Sequence, residues 1–254
     1  GQVSALDFAE LDDLIEKFVL HPHEPDLSDL TPAEPVAVPS TPDGEAEHRR
    51  ATAIGEDALR SGHVAALVVA GGLGTRLRYI PPKGTYPAGP ITGKSLFQLH
   101  AEKIRAASRR YGTQIPWYIM TSEATDAPTR AYFAENGHLG LPPDDVVFFE
   151  QGLSPAVARD GKLLLAEKGA LAMSPNGHGG VLRALRVSGT MAWLVNLGIE
   201  ELSVYQVDNP LVPPADPLFL GLHRAARGQM SSKVFLKGDP AEKVGVLVRL
   251  DGRP

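Results

Sequence analysis

A chain of 254 residues, 43% hydrophobic and with a formal net charge of −5, can bury a sizeable core as one large domain or one domain with an appendage. Mild acidity argues against a nucleic-acid partner, and the absence of cysteine excludes a disulfide framework, a thiolate nucleophile and cysteine-ligated metal. Apolar runs are too short to span a bilayer and the start of the chain has no basic-then-apolar signal pattern, so a cytoplasmic protein without a membrane partner is expected; oligomeric state is not legible.

Residues 8–20 carry Phe8, Leu11, Leu14, Ile15, Phe18 and Val19 at helical spacing with acids opposite, which predicts a helix packed on the main body. Residues 21–44 turn to proline, acid and Ser/Thr. Proline denies both helix continuation and ladder hydrogen bonds, so an extended, wrapping connection is expected. His21 and His23 lack a pattern of ligating partners and read as solvated or packed residues. A helix over 45–61, stopped by Gly62, leads to the apolar, β-branched run 64–70, expected as a strand covered on both faces of a parallel sheet. Residues 1–60 then form a helical arm with a proline-rich connection, and 61–254 a nucleotide-binding domain.

Further helices are predicted over 95–110, entered through Lys94-Ser95 and closed by Gly112, and over 126–136, 181–197 and 216–227. Strands are predicted over 117–121, 146–149, 202–207, 232–236 and 244–250, with an edge hairpin strand over 162–166 beside the Asp160-Gly161 turn. Trp117, Tyr118, Phe148 and Phe149 are assigned to the sheet core, and His100 and His138 to helix surfaces or caps. Strands interleaved with helices give an α/β fold: a Rossmann-like, mostly parallel sheet flanked by helices, with ligands gathering beyond the carboxyl ends of the strands.

The first strand runs into Ala70-Gly71-Gly72-Leu73-Gly74-Thr75-Arg76-Leu77, followed by Pro82-Lys83-Gly84. Its glycines let a phosphate or base approach the backbone, and Arg76 and Lys83 supply positive charge nearby. The dinucleotide fingerprint fails because Leu77 stands where a third glycine is needed. A Walker A reading of Gly93-Lys94-Ser95 fails because Ala88 stands at the first glycine position and Pro90 lies inside the loop. At the other strand ends, Gln151 offers the donor and acceptor that a uracil-type edge requires, and Asp208 offers a hard oxygen suited to Mg²⁺. The loop Ser174-Pro175-Asn176-Gly177-His178-Gly179-Gly180 can bring backbone groups against a planar base.

Together these stretches resemble the eukaryotic-type UDP-sugar pyrophosphorylases, most closely the UDP-N-acetylglucosamine pyrophosphorylases. The resemblance also rests on Pro116-Trp117-Tyr118-Ile119-Met120-Thr121-Ser122, Phe148-Phe149-Glu150-Gln151-Gly152, Arg183-Ala184-Leu185, Val204-Tyr205-Gln206-Val207-Asp208-Asn209 and Glu242-Lys243-Val244-Gly245-Val246, and covers about residues 60–250. It implies a GT-A-like nucleotidyltransferase fold and a uridylyl transfer in which UTP and a sugar 1-phosphate give UDP-sugar and pyrophosphate with Mg²⁺. By position, Ala70, Gly71, Gly72, Gly74 and Thr75 would cradle the nucleotide, with Arg76 facing pyrophosphate and Lys83 contacting the UTP phosphates. Gln151, Pro175 and Gly177 would read uracil, and Asp208 would hold Mg²⁺. His178 replaces the asparagine of the N-acetylglucosamine enzymes, as in the glucose and broad-specificity relatives, and is assigned to the sugar phosphate. The family pattern continues past Pro254, so the chain is expected to be a fragment, and UTP binding without turnover is one expected behaviour. A glycosyltransferase is disfavoured because Val207-Asp208-Asn209 lacks the second acid of an Asp-x-Asp motif.

Overall fold

The computed structural model describes residues 2–22 and 26–250. In chain order its helices and strands are α1 (Phe8–Ile15), β1 (Leu30–Pro32), α2 (Pro42–Arg60), β2 (Val64–Val69), α3 (Leu96–Tyr111), β3 (Trp117–Thr121), α4 (Asp126–Glu135) and β4 (Val146–Glu150). They continue with β5 (Leu153–Pro155), β6 (Leu165–Glu167), β7 (Ala170–Leu171), β8 (Met173–Pro175), α5 (Val181–Val187), α6 (Thr190–Asn196), β9 (Glu201–Gln206), α7 (Pro217–Ala225) and β10 (Val248–Leu250). Two compact units result, one of Gly1–Ser40, Ser154–Ser174 and Ser231–Pro254, the other of Thr41–Leu153 and Pro175–Met230.

The larger unit is built on four parallel strands in the order β4-β3-β2-β9. Along β2, Val64, Ala66 and Val68 enter one core with Leu59, Phe97, Ile104 and Trp117, while Ala65 and Leu67 enter another with Tyr118, Phe149, Leu185 and Leu194. Alternation with both faces apolar is what a parallel strand covered by helices demands, and β2 meets it. Trp117, Tyr118 and Phe149 are buried, and Phe148 packs against the first core from a half-buried position. Val69 lies opposite both Met120 and Gln206, so β2, β3 and β9 end nearly level.

Local chemistry sets the helix ends. Ser95 and Gln98 form a reciprocal capping box at the start of α3, with Gln98 N–H donating to Ser95 Oγ (3.1 Å) and Ser95 N–H to Gln98 Oε1 (2.8 Å). The same Ser95 Oγ accepts from the Tyr132 hydroxyl of α4 at 2.8 Å, which ties the cap to the neighbouring helix. Helices α2 and α7 approach backbone to backbone through Gly55 and Gly221. A Cβ at Gly55 would strike the Pro217 carbonyl, and one at Gly221 the Ala51 carbonyl.

In the smaller unit, β1 pairs antiparallel with β10, and β6 with β7. The Gln2 side chain accepts the Leu171 N–H at 2.9 Å, and Ile15 and Leu20 lie over Gly161. His23 lies outside the described residues, and His21 is exposed beside Glu16.

Several expectations are corrected. No residue of α1 is fully buried: Leu11 and Ile15 of its apolar stripe are half-buried, and Phe8 and Leu14 are exposed. The proline-rich connection contains a ladder, β1, because Pro32 sits at the strand's end. The helix expected over 181–197 is broken into α5 and α6 at Gly189, whose φ of 77° leaves the helical region and lets both Leu185 and Leu194 reach one core. Residues 232–236 form no strand and expose Phe235 and Leu236; β propensity without a pairing partner does not make a strand. The strand expected over 244–250 shortens to β10, and the one expected over 162–166 shifts to β6, with which it shares only Leu165 and Ala166. His100 is fully buried rather than on a helix surface.

Candidate active site

Pairing outlasts β2 by one residue: Ala70 N–H donates to the Met120 carbonyl (2.8 Å), and Val207 N–H to that of Val69 (3.1 Å). The chain then leaves the sheet at Gly71, whose carbonyl accepts from Ser122 Oγ at the end of β3 (2.8 Å). Residues 72–83 form a loop with its ends tied together. Lys83 N–H donates to the Gly72 carbonyl (3.0 Å), and Gly74 N–H to that of Pro81 (3.3 Å). Gly74 is buried where a Cβ would lie 2.7 Å from the Tyr79 carbonyl, whereas Gly72 faces open space. Sequence reasoning assigned both glycines to ligand approach; the structure adds a packing reason at Gly74. Thr75 is exposed on the short turn Thr75–Leu77, and the Arg76 side chain is not among the described groups.

Gln151 follows β4, with its N–H donating to the Thr121 carbonyl (2.9 Å). Its carboxamide lies against Gly71: a Cβ there would sit 3.0 Å from the amide carbon, oxygen and nitrogen. Any side chain at 71 would push the donor–acceptor pair away, so this glycine is explained by close approach. The next loop closes on the same region. Asn176 N–H donates to the Gly152 carbonyl (3.1 Å), and the Asn176 side chain fits between Gly152 and Gly180 where neither position has room for a Cβ. Asn176 Oδ1 is buried without a hydrogen-bond partner among the described residues. Gly177 adopts φ 75°, ψ −171°, a region essentially confined to glycine. Pro175, Gly177 and His178 are exposed, with His178 opening the turn His178–Gly180 that leads into α5.

Two predicted charges meet. Lys83 Nζ lies 2.9 Å from Asp208 Oδ2, across 125 residues of sequence. Both side chains keep solvent contact, 26% and 45% exposed, which makes this an open pair and not a buried structural bridge. Behind it, His100 Nε2 is 3.0 Å from the Val207 carbonyl, and Lys103 Nζ donates to the carbonyls of Pro210 and Val212. Burial lowers the pKa of His100 despite that hydrogen bond, and burial likewise lowers that of Lys103. A carbonyl can only accept, so the neutral ring carries its proton on Nε2. Among the described residues, no three His, Cys, Asp or Glu gather as a preformed metal cage.

The structure thus brings Gly71 to Gln151 and Lys83 to Asp208 at the carboxyl ends of parallel strands. Asn176, His100 and Lys103 were missed as site elements. The glycines on both sides of Asn176 are a legible signal for it. His100 and Lys103, three apart on a helix, had no local sign, because their partners are backbone carbonyls more than a hundred residues away.

A family profile described as UTP–glucose-1-phosphate uridylyltransferase matches residues 38–254. The UDP-N-acetylhexosamine pyrophosphorylase-like protein 1 of Xenopus tropicalis is 47% identical over 195 residues, covering 74% of this chain and 38% of that protein. A probable UDP-N-acetylglucosamine pyrophosphorylase of Schizosaccharomyces pombe is 42% identical over 205 residues, covering 77% of this chain and 43% of that protein. The crystal structure of the uridine diphosphate N-acetylglucosamine pyrophosphorylase from Trypanosoma brucei, in complex with an inhibitor, superposes with a TM-score of 0.83. It is 31% identical, and the match covers 98% of this chain and 52% of that one. The chain therefore spans less than half the length of these curated relatives.

Proposed function

Because the chain belongs to the UTP–glucose-1-phosphate uridylyltransferase family, we propose that it supplies the nucleotide-binding half of an enzyme that transfers uridylyl from UTP to an N-acetylhexosamine 1-phosphate. The observation that carries this reading is the meeting of Lys83 and Asp208 at 2.9 Å beside the glycine turn, where an open α/β sheet receives its ligands. The names of the relatives support N-acetylglucosamine 1-phosphate as the sugar phosphate.

In this reading a phosphate oxygen of the sugar 1-phosphate attacks the α-phosphorus of UTP in line. One P–O bond forms, the bond to the β-phosphate bridge breaks, and pyrophosphate leaves with the electron pair. The protein's part is to position the reactants and offset charge. Gln151 would meet the uracil edge with one donor and one acceptor, with backbone at Pro175 and Gly177 completing the base pocket. Ala70, Gly71, Gly72, Gly74 and Thr75 would line the path of the phosphates, Arg76 would face the departing pyrophosphate, and exposed His178 would hydrogen-bond the sugar phosphate.

A single carboxylate suits Mg²⁺, which usually takes one or two protein carboxylates and completes its shell with substrate phosphates and water. Asp208 would hold it; when bound, the ion would neutralise charge developing on the phosphate oxygens. Lys83 must then release Asp208. An exposed pair contributes only about 0–1 kcal/mol, so opening it costs little against charge-assisted contacts worth about 1.5–3 kcal/mol each. Lys83 is thereby held close to the phosphate path before UTP arrives.

The test is pyrophosphate release with UTP and Mg²⁺, with N-acetylglucosamine, glucose and galactose 1-phosphates offered in parallel. Turnover preferring N-acetylglucosamine 1-phosphate is expected where the sugar pocket is complete, and magnesium-dependent UTP binding by this chain where it is not. The absence of both turnover and UTP binding would overturn the reading.

A further inference from the structure

Helix α3 contributes two polar side chains to the segment that carries Asp208, although α3 itself lies over a hundred residues earlier in the chain. His100 and Lys103 are three residues apart and so share one face of the helix. His100, fully buried, lies with Nε2 3.0 Å from the Val207 carbonyl. Lys103 Nζ reaches the Val212 carbonyl at 3.0 Å and also that of Pro210. These three carbonyls bracket Asp208 and Asn209 on both sides. The segment belongs to no helix or strand, and Pro210, Pro213 and Pro214 have no N–H with which to build a ladder of their own. Its internal bonds are few and long, with Asn209 N–H to the Gln206 carbonyl at 3.2 Å, Leu211 N–H to Asn209 Oδ1 at 3.2 Å and Val212 N–H to the Asn209 carbonyl at 3.4 Å.

A leucine or methionine would fill the His100 position without the desolvation cost of an imidazole. The polar choice has a different physical consequence: carbonyls that would otherwise be left without donors are held in one place. We infer that His100 and Lys103 are positioning residues that fix the path of Val207–Val212 and so hold the Asp208 carboxylate where it serves a divalent cation. This rests on the reading of Asp208 given under Proposed function. Removing either donor should leave the glycine turn and Gln151 intact, and with them metal-free UTP binding, while the cation-dependent part of the affinity falls.

The experiment is calorimetric titration of the full chain with UTP, once in EDTA and once in saturating Mg²⁺; the ratio of the two Kd values is the metal-dependent gain. Asp208→Asn should abolish the gain. Lys103→Met, which keeps the aliphatic stem, should reduce it about tenfold, a usual cost of losing an outer-shell partner, with metal-free Kd unchanged within about twofold. Lys103→Arg should restore most of the gain, and His100→Gln, which keeps an N–H near the Nε2 position, should retain more of it than His100→Leu. Should His100→Leu fail to fold, the Lys103 pair decides the matter. A wild-type gain in Lys103→Met, or equal loss of both affinities with no rescue by arginine, overturns the inference while the reading of Asp208 stands. A gain that survives Asp208→Asn, or no gain in the unaltered chain, overturns both.

Discussion

Lys83 and Asp208 neutralise each other across 2.9 Å with water still at hand, and that openness separates their functional weight from their structural weight. Lys83→Ala should change the urea-unfolding free energy by less than about 1 kcal/mol, because an exposed pair contributes no more. The same substitution should weaken UTP binding by about tenfold or more, since a charge-assisted phosphate contact is lost, and should abolish turnover wherever turnover is present. Equal UTP affinity in wild type and variant would remove Lys83 from the phosphate path. His100 makes the opposite case. Burial lowers its pKa from the ordinary 6.5, so below that pH the unfolded chain takes up a proton that the folded chain refuses. Stability contributed by neutral His100 is present above the ordinary value and is lost as pH falls beneath it. The urea midpoint should therefore drop between pH 7 and pH 5, and His100→Gln should flatten that drop. A parallel profile in the variant would assign the acid sensitivity to other groups.

Among the elements, the crossing of α2 and α7 is the most exacting contact, because it is made by two backbones with glycine on each side. Gly221→Ala places a methyl group against the Ala51 carbonyl, and relieving the clash means moving the two helices apart at the expense of their packing. A loss of about 3 kcal/mol is expected in chemical denaturation, at the upper end of overpacking costs. A loss under about 1 kcal/mol would mean that the helices can slide apart freely. The break between α5 and α6 is of the same kind, set by one residue. Gly189 takes a positive φ, and through it two short helices contribute Leu185 and Leu194 to one core.

At the scale of the whole molecule, ligand binding and stability are linked. A nucleotide that binds only the folded chain stabilises it by about 2.7 kcal/mol at a hundredfold excess over Kd. For a chain of this size that corresponds to a rise of about 5–10 °C in Tm. UTP with Mg²⁺ should produce such a shift in a thermal melt and CTP a smaller one, since Gln151 is proposed to read a uracil edge. Equal shifts with both nucleotides would detach Gln151 from base recognition.

By itself the sequence determined the central strand β2 and the glycine turn after it, because both are local. A short β-branched run buried on two faces and a turn without side chains leave their marks within ten residues. It also placed Gln151 and Asp208 just beyond the ends of strands, where open α/β sheets tend to receive ligands. Only the tertiary structure decided that Gly74 and Gly221 are packed where a Cβ would clash, that Asn176 wedges between Gly152 and Gly180, and that buried His100 and half-buried Lys103 bond the carbonyls around Asp208. Each of those depends on a partner far away in the chain. No periodicity or spacing records such a partner, since a residue's packing neighbours are set by how the layers come together and not by its position along the strand or helix.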